Sequence, residues 1–194
     1  MDEYDFVLID MANPFPVLHI PDSETVARHC PIGLTPKVNK RRIPSPDCFA
    51  LRSGEEGLSV NWHEKLDTVT HFLLIGIQYN RNSDFLNPHM FRIYTLPMEW
   101  LRNLGGIKEI KHAPVYNGDP SPVGHPNNPW HAEIYFTDME NNQDVRLWLS
   151  EYCQSNFDTS YQPYPGPDLD ECIADLRARN DQTVYHRVEN WGIS

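Results

Sequence analysis

His131 and Glu133 stand two apart in Asn128-Pro129-Trp130-His131-Ala132-Glu133-Ile134-Tyr135-Phe136. At the head of a strand, the period of two sends both side chains to one face. A carboxylate can orient or charge a neighbouring imidazole, and either group can take a proton as general base. The plainer alternative is a histidine bonded to its own loop and a glutamate solvated on an open sheet face. Two earlier segments carry matching polar groups. Lys40-Arg41-Arg42-Ile43-Pro44 holds guanidinium forks able to clamp a phosphate or pyrophosphate, or else a solvated basic edge paired with the acidic N-terminus. Gly57-Leu58-Ser59-Val60-Asn61-Trp62 offers Ser59 and Asn61 to a ribose hydroxyl or carboxamide, or simply to solvent.

Arg42, Ser59 and His131 are expected to converge on one pocket of a few-hundred-Å³ class. His131 with Asp119 and His125 fits no strong zinc signature, and no metal is expected. The chain lacks a nucleophile elbow, a P-loop and a dinucleotide glycine fingerprint.

The elements that must position these groups follow from periodicity. Leu58 to Trp62 alternates apolar and polar, a half-buried strand with Leu58, Val60 and Trp62 inward. Asp5 to Asp10 and Pro16 to Ile20 read as short strands or extended segments. Asp22-Ser23 can cap a short helix through Arg28. Between Pro31 and Pro46 only Lys37 to Ile43 can form a strand. Phe72 to Ile77 is a continuous apolar run expected as a central strand. Phe91 to Leu96 alternates, and Pro97 then opens a helix carrying Met98, Leu101 and Leu104, stopped by Gly105-Gly106. A Pro-rich loop from Val115 to Asn128 delivers the His131 strand. Asp144 can cap a helix with Val145, Trp148, Leu149 and Tyr152 on one face. Asp168 with Glu171 forms a capping box before Leu169, Cys172, Ile173 and Leu176. Val184 to Val188 would add a last strand. Strands and helices in no regular alternation give α+β, a single domain with a mixed or split antiparallel sheet and a few peripheral helices. Within it, 1–36 is an acidic, Pro-interrupted segment, 37–136 the motif-bearing core, and 137–194 a helical C-terminal part.

Composition narrows the function. A net charge of −11 over 194 residues disfavours general nucleic-acid or anionic-membrane binding. The local exception is Lys37, Lys40, Arg41 and Arg42. Seventeen prolines against ten glycines call for many irregular connections. Cys30, Cys48, Cys153 and Cys172 form no C-x-x-C pair and read as reduced buried thiols. The acidic start is no signal peptide, and Phe72 to Ile77 is too short to span a membrane, so a soluble cytoplasmic protein is expected.

The sequence resembles a group of uncharacterised bacterial proteins sharing an Arg-Arg-Ile-Pro, Ser-Val and Pro-x-His-Ala pattern, here Arg41 to Pro44, Ser59-Val60 and Pro129 to Ala132. The likeness covers about residues 38–136. More distantly, the order of parts resembles small ADP-ribosyltransferase-like domains, the RNA 2′-phosphotransferase relatives and RES-type toxins among them. That resemblance implies a split sheet gripping NAD. Arg41 and Arg42 would hold the pyrophosphate, Ser59 and Asn61 the nicotinamide-ribose pocket, and His131 or Glu133 would be the late-strand catalytic group. It implies a toxin or anti-phage defence component. The alternatives are a non-catalytic acidic interaction or inhibitor protein acting with a defence-system partner, and an RNase using His131 with Arg42.

Overall fold

The computed structural model describes residues 13–66, 68–76, 78, 86–116, 127–166, 169–171 and 173–174. The strands are β1 (Thr25–Pro31), β2 (Lys37–Val38), β3 (Arg41–Arg42), β4 (Leu58–Trp62), β5 (Phe91–Pro97), β6 (Ile107–His112), β7 (His131–Phe136) and β8 (Tyr161–Gln162). The helices are α1 (Thr68–Gly76), α2 (Met98–Asn103), α3 (Gln143–Ser155) and α4 (Phe157–Ser160). Six strands form one antiparallel sheet in the order β6-β7-β4-β1-β5-β8, and β2 pairs β3 separately. The fold is α+β, as the sequence implies.

The strand alternation builds two layers of packing. Leu58, Val60 and Trp62 of β4 and Ala132, Ile134 and Phe136 of β7 point to one face, where they meet Leu101 of α2 and Val145, Leu149 and Cys153 of α3. On the opposite face Ala27 and Ile93 pack with Phe72 and Ile75 of α1 and with Leu169 and Ile173. That second layer centres on β1 and β5. Over β4 and β7 the same face carries Ser59, Asn61, His131, Glu133 and Tyr135.

The central ladder is discontinuous. β1 pairs β5 through seven rungs, Thr25↔Pro97 to Pro31↔Phe91. It pairs β4 only at Val26↔Trp62 and Ala27↔Asn61. β4 meanwhile continues against β7 from Asn61↔His131 to Leu58↔Ile134. The sheet is therefore split from Arg28 onward.

Two expectations exchange places. Thr25 to Arg28 is no helix but the start of central strand β1, and Phe72 to Gly76 is no strand but the end of α1, Ile77 lying outside the described residues. Val26, Ala27 and Cys30 are buried toward both faces, so β1 lacks a clean alternation and carries Arg28-His29 in its middle. A short apolar run has no period that tells helix from strand, and α1 buries five of its nine residues. With β1 holding the centre, the run covers the sheet instead of joining it.

Other elements lie close to expectation. Asn39 (φ 50°) and Lys40 (φ 69°) are both left-handed, which gives the β2–β3 hairpin the twist of a two-residue primed turn. α3 buries Val145, Leu149 and Cys153, while Trp148 points outward, 41% exposed. Asn142, not Asp144, takes the N-cap position of α3. Pro16 to Ile20 joins no strand. Leu169 and Ile173 are helical and buried as expected. Asp168, Cys172, Leu176, the 5–10 segment and the 184–188 segment lie outside the described residues.

Candidate functional site

Where β1 and β4 part, the opened edge needs a substitute for the missing rungs. Arg28 supplies it. Its Nη1 donates to the Ser59 carbonyl at 2.5 Å and its Nε to the Cys48 carbonyl at 3.0 Å. Arg28 is 8% exposed, and among the described residues no carboxylate lies within ion-pair distance of it. Burial pushes its pKa down from the ordinary guanidinium value. A buried cation bonded only to carbonyls is an unusual expense of electrostatic energy, and an anion brought beside it would relieve it.

Arg28 lines a cleft of about 430 Å³ together with His29, Arg52, Ser59, Asn61, Asn128 and His131; Leu74, Ile75, Leu86 and Phe91 supply apolar wall. Arg28 and Arg52 line this space, Arg52 standing 3.9 Å from the Glu55 carboxylate, and among the described residues no carboxylate belongs to the lining itself. In a chain of net charge −11, that is a local reversal of sign.

Within the cleft the hydrogen bonds fix the protonation pattern. His131 Nδ1 lies 2.8 Å from the Ala113 carbonyl, which can only accept. The hydrogen therefore sits on Nδ1, and Nε2 accepts from the Ser59 hydroxyl at 2.7 Å. This is a diagonal pair across β4 and β7, and it presents a serine oxygen with a base behind it. Burial lowers the His131 pKa, against the opposing pull of the Ala113 carbonyl and the Glu133 charge, so the ring is neutral and basic at neutral pH.

A second chain of bonds starts at the backbone. The Trp130 N–H donates to Asn128 Oδ1 at 3.1 Å, which orients that amide. Asn128 Nδ2 then donates to Asn61 Oδ1 at 2.6 Å, leaving Asn61 Nδ2 to face His29 Nε2 at 3.4 Å. His29 Nε2 is 3.0 Å from His71 Nδ1, and His71 Nε2 is 3.1 Å from His63 Nδ1. Burial, and next the adjacent Arg28, push His29 down to about 3. Burial likewise holds His71 well below its usual value. Both rings are neutral at neutral pH.

The structure thus brings Ser59, Asn61 and His131 together, and separates the other candidates. Arg42 donates Nη1 to the Thr35 carbonyl at 2.9 Å. Arg41 pairs with Asp158 at 3.0 Å and lies over the Phe157 ring. Neither lines the cleft, because the β2–β3 hairpin holds both outside the main sheet. The expected convergence of Arg42 with His131 is corrected to Arg28 with His131. Glu133 also stays outside the lining. The Tyr135 hydroxyl donates to its carboxylate, which with burial pushes Tyr135 up to about 12. Asp119 and His125 lie outside the described residues. Arg28, His29, Arg52 and Asn128 are the members that sequence reasoning missed; for Arg28 and His29 the available signal was a polar pair inside Thr25 to Pro31, a stretch otherwise fit for a buried strand. Cys30, Cys48 and Cys153 are free and buried.

No helix among the described residues is long and apolar enough to cross a membrane. Comparison with family models, curated proteins and solved structures gave no match to this chain.

Proposed function

We propose that the cleft binds an NAD-class dinucleotide and that the chain is an ADP-ribosyltransferase-like protein. The observation that carries this reading is Arg28, a buried guanidinium with no carboxylate at ion-pair distance among the described residues, set at the split of the sheet beside Ser59 and His131. Guanidinium suits a pyrophosphate through its fork of donors. Arg52, exposed and 3.9 Å from Glu55, adds a second guanidinium at the same wall. Asn61 and Asn128 supply amide groups for ribose hydroxyls or the carboxamide, and Ile75, Leu86 and Phe91 suit an apolar ring face. Transfer requires attack at the anomeric carbon as nicotinamide leaves. The Ser59–His131 pair is placed to take the proton of the attacking hydroxyl: Ser59 passes its own hydrogen to His131 Nε2 while accepting that of the nucleophile. The likeness to RES-type toxins extends the proposal to a toxin or anti-phage defence role in the cytoplasm.

The test is incubation of the purified chain with NAD, with nicotinamide release followed by chromatography. Wild type should bind NAD or consume it slowly. His131→Gln and Arg28→Gln should each weaken the effect, while Arg42→Gln should not. Wild type that neither binds nor turns over NAD, but recovers a stoichiometric protein partner, would replace this reading with the acidic-partner one.

A further inference from the structure

The proposed transfer uses His131 but leaves the His29–His71–His63 chain without a task. The ring centroids are 5.2 Å and 5.3 Å apart for nitrogen contacts of 3.0 Å and 3.1 Å. Separations that exceed the contact by about a ring diameter mean that the imidazoles meet end to end. His29 lines the cleft, His71 is fully buried in α1, and His63 is half-buried at the outer end.

The bond order sets the tautomers. Asn61 Nδ2 can only donate, so His29 Nε2 is an acceptor and the hydrogen of His29 sits on Nδ1. His71 Nδ1 then donates to His29 Nε2, and His63 Nδ1 donates to His71 Nε2. Among the described residues no protein group takes the His29 Nδ1–H. The cleft accordingly holds a fixed acceptor at His131, a fixed donor at His29 and a cation at Arg28.

We infer that His29 is a general acid kept neutral, as its Nδ1 gives up a proton, by one passed inward through His63 and His71 to its Nε2, and that it equips the cleft for cleaving a phosphodiester. Departing nicotinamide needs no proton, whereas a departing alkoxide oxygen does. The inference rests on the anion site at Arg28 and not on NAD as its ligand. A hydroxyl, from water or a neighbouring ribose, attacks phosphorus and forms the new P–O bond; its proton goes to Ser59 as Ser59 gives its own to His131 Nε2. The P–O bond to the leaving oxygen breaks, and that oxygen takes the His29 Nδ1 proton. His29 Nε2 takes the proton of His71 Nδ1, His71 Nε2 takes that of His63 Nδ1, and solvent supplies one to His63. Once product has left, His131 gives its extra proton to water in the cleft, water returns a proton to His29 Nδ1, and the three rings pass one back outward to recover their starting tautomers. His29 and His71 exchange tautomers and stay neutral throughout, which is the state their burial favours.

Leaving-group dependence tests this. The full chain is assayed on a dinucleoside monophosphate, whose 5′-oxygen must be protonated, and on bis(p-nitrophenyl) phosphate, whose p-nitrophenolate leaves without a proton. Wild type should cleave both. His71→Phe, and His63→Gln at the half-buried end, should lose about a hundredfold on the dinucleotide and stay within about threefold of wild type on the activated ester. Equal losses on both substrates, no loss on either, or a wild type inert toward both would overturn the inference. NAD titration of the same preparations reports separately on the transferase reading.

Discussion

Arg28 serves two purposes with one fork. It closes the edge that β1 and β4 leave open, and it offers positive charge to the cleft. A lysine keeps the charge but cannot reach both the Cys48 and Ser59 carbonyls in the same plane. Arg28→Lys should therefore lower stability by about 1–3 kcal/mol, the cost of leaving a buried carbonyl unsatisfied, as read by urea denaturation. An unchanged midpoint would show that the carbonyls find other donors. Ser59, Asn61 and His131 were legible in the sequence because alternation fixes the face of each residue on a half-buried strand. Arg28 and His29 were not. A buried arginine is rare, and nothing local marks one. The repeated basic run at Arg41-Arg42 drew attention to the more exposed pair instead.

β4 is legible in the sequence because Leu58, Val60 and Trp62 face one layer only. β1 and α1 are not legible in the sequence because both bury residues on more than one side, which erases the period that would identify them. Val60 is 1% exposed, so Val60→Asp should destabilise by several kcal/mol, on the order of an unpaired buried charge, measured by thermal unfolding. Gly57 bears on the approach of β4 to β7. A Cβ there would stand 2.9 Å from Glu133 Cβ and 3.3 Å from the Tyr135 ring. Gly57→Ala should displace the Glu133–Tyr135 pair at a cost of about 1–3 kcal/mol. Since Glu133 lies outside the cleft, ligand binding by the folded fraction should change little.

The molecule as a whole should lose stability in mild acid through its buried histidines. His29 and His71 are neutral in the fold, and His29 stays so until about pH 3. In the unfolded chain both titrate near ~6.5. Below that value the unfolded state binds protons that the fold refuses, so stability falls as pH falls, through the window from about 6.5 down to 3. The groups facing His29 are His71 from α1, Asn61 from β4, Arg28 on its own strand and His131 from β7. None is acidic, so among the described residues no carboxylate facing His29 offsets the effect. Urea midpoints between about pH 7.5 and 5 avoid most carboxylate titration. Acidification also reduces the −11 self-repulsion, but equally in a variant. His71→Phe should flatten the dependence, and a slope identical to wild type would contradict the assignment of neutral histidines.

We propose that the split in the sheet, bridged by Arg28, is an anion-binding site for a dinucleotide. Calorimetric titration of NAD into wild type, Arg28→Gln and Arg42→Gln tests it most directly. One molecule should bind per chain. Arg28→Gln should weaken binding by at least about tenfold, ~1.4 kcal/mol, and Arg42→Gln should leave it unchanged. Loss of binding in Arg42→Gln with Arg28→Gln unaffected, or a folded wild type that takes up no NAD, would contradict the account.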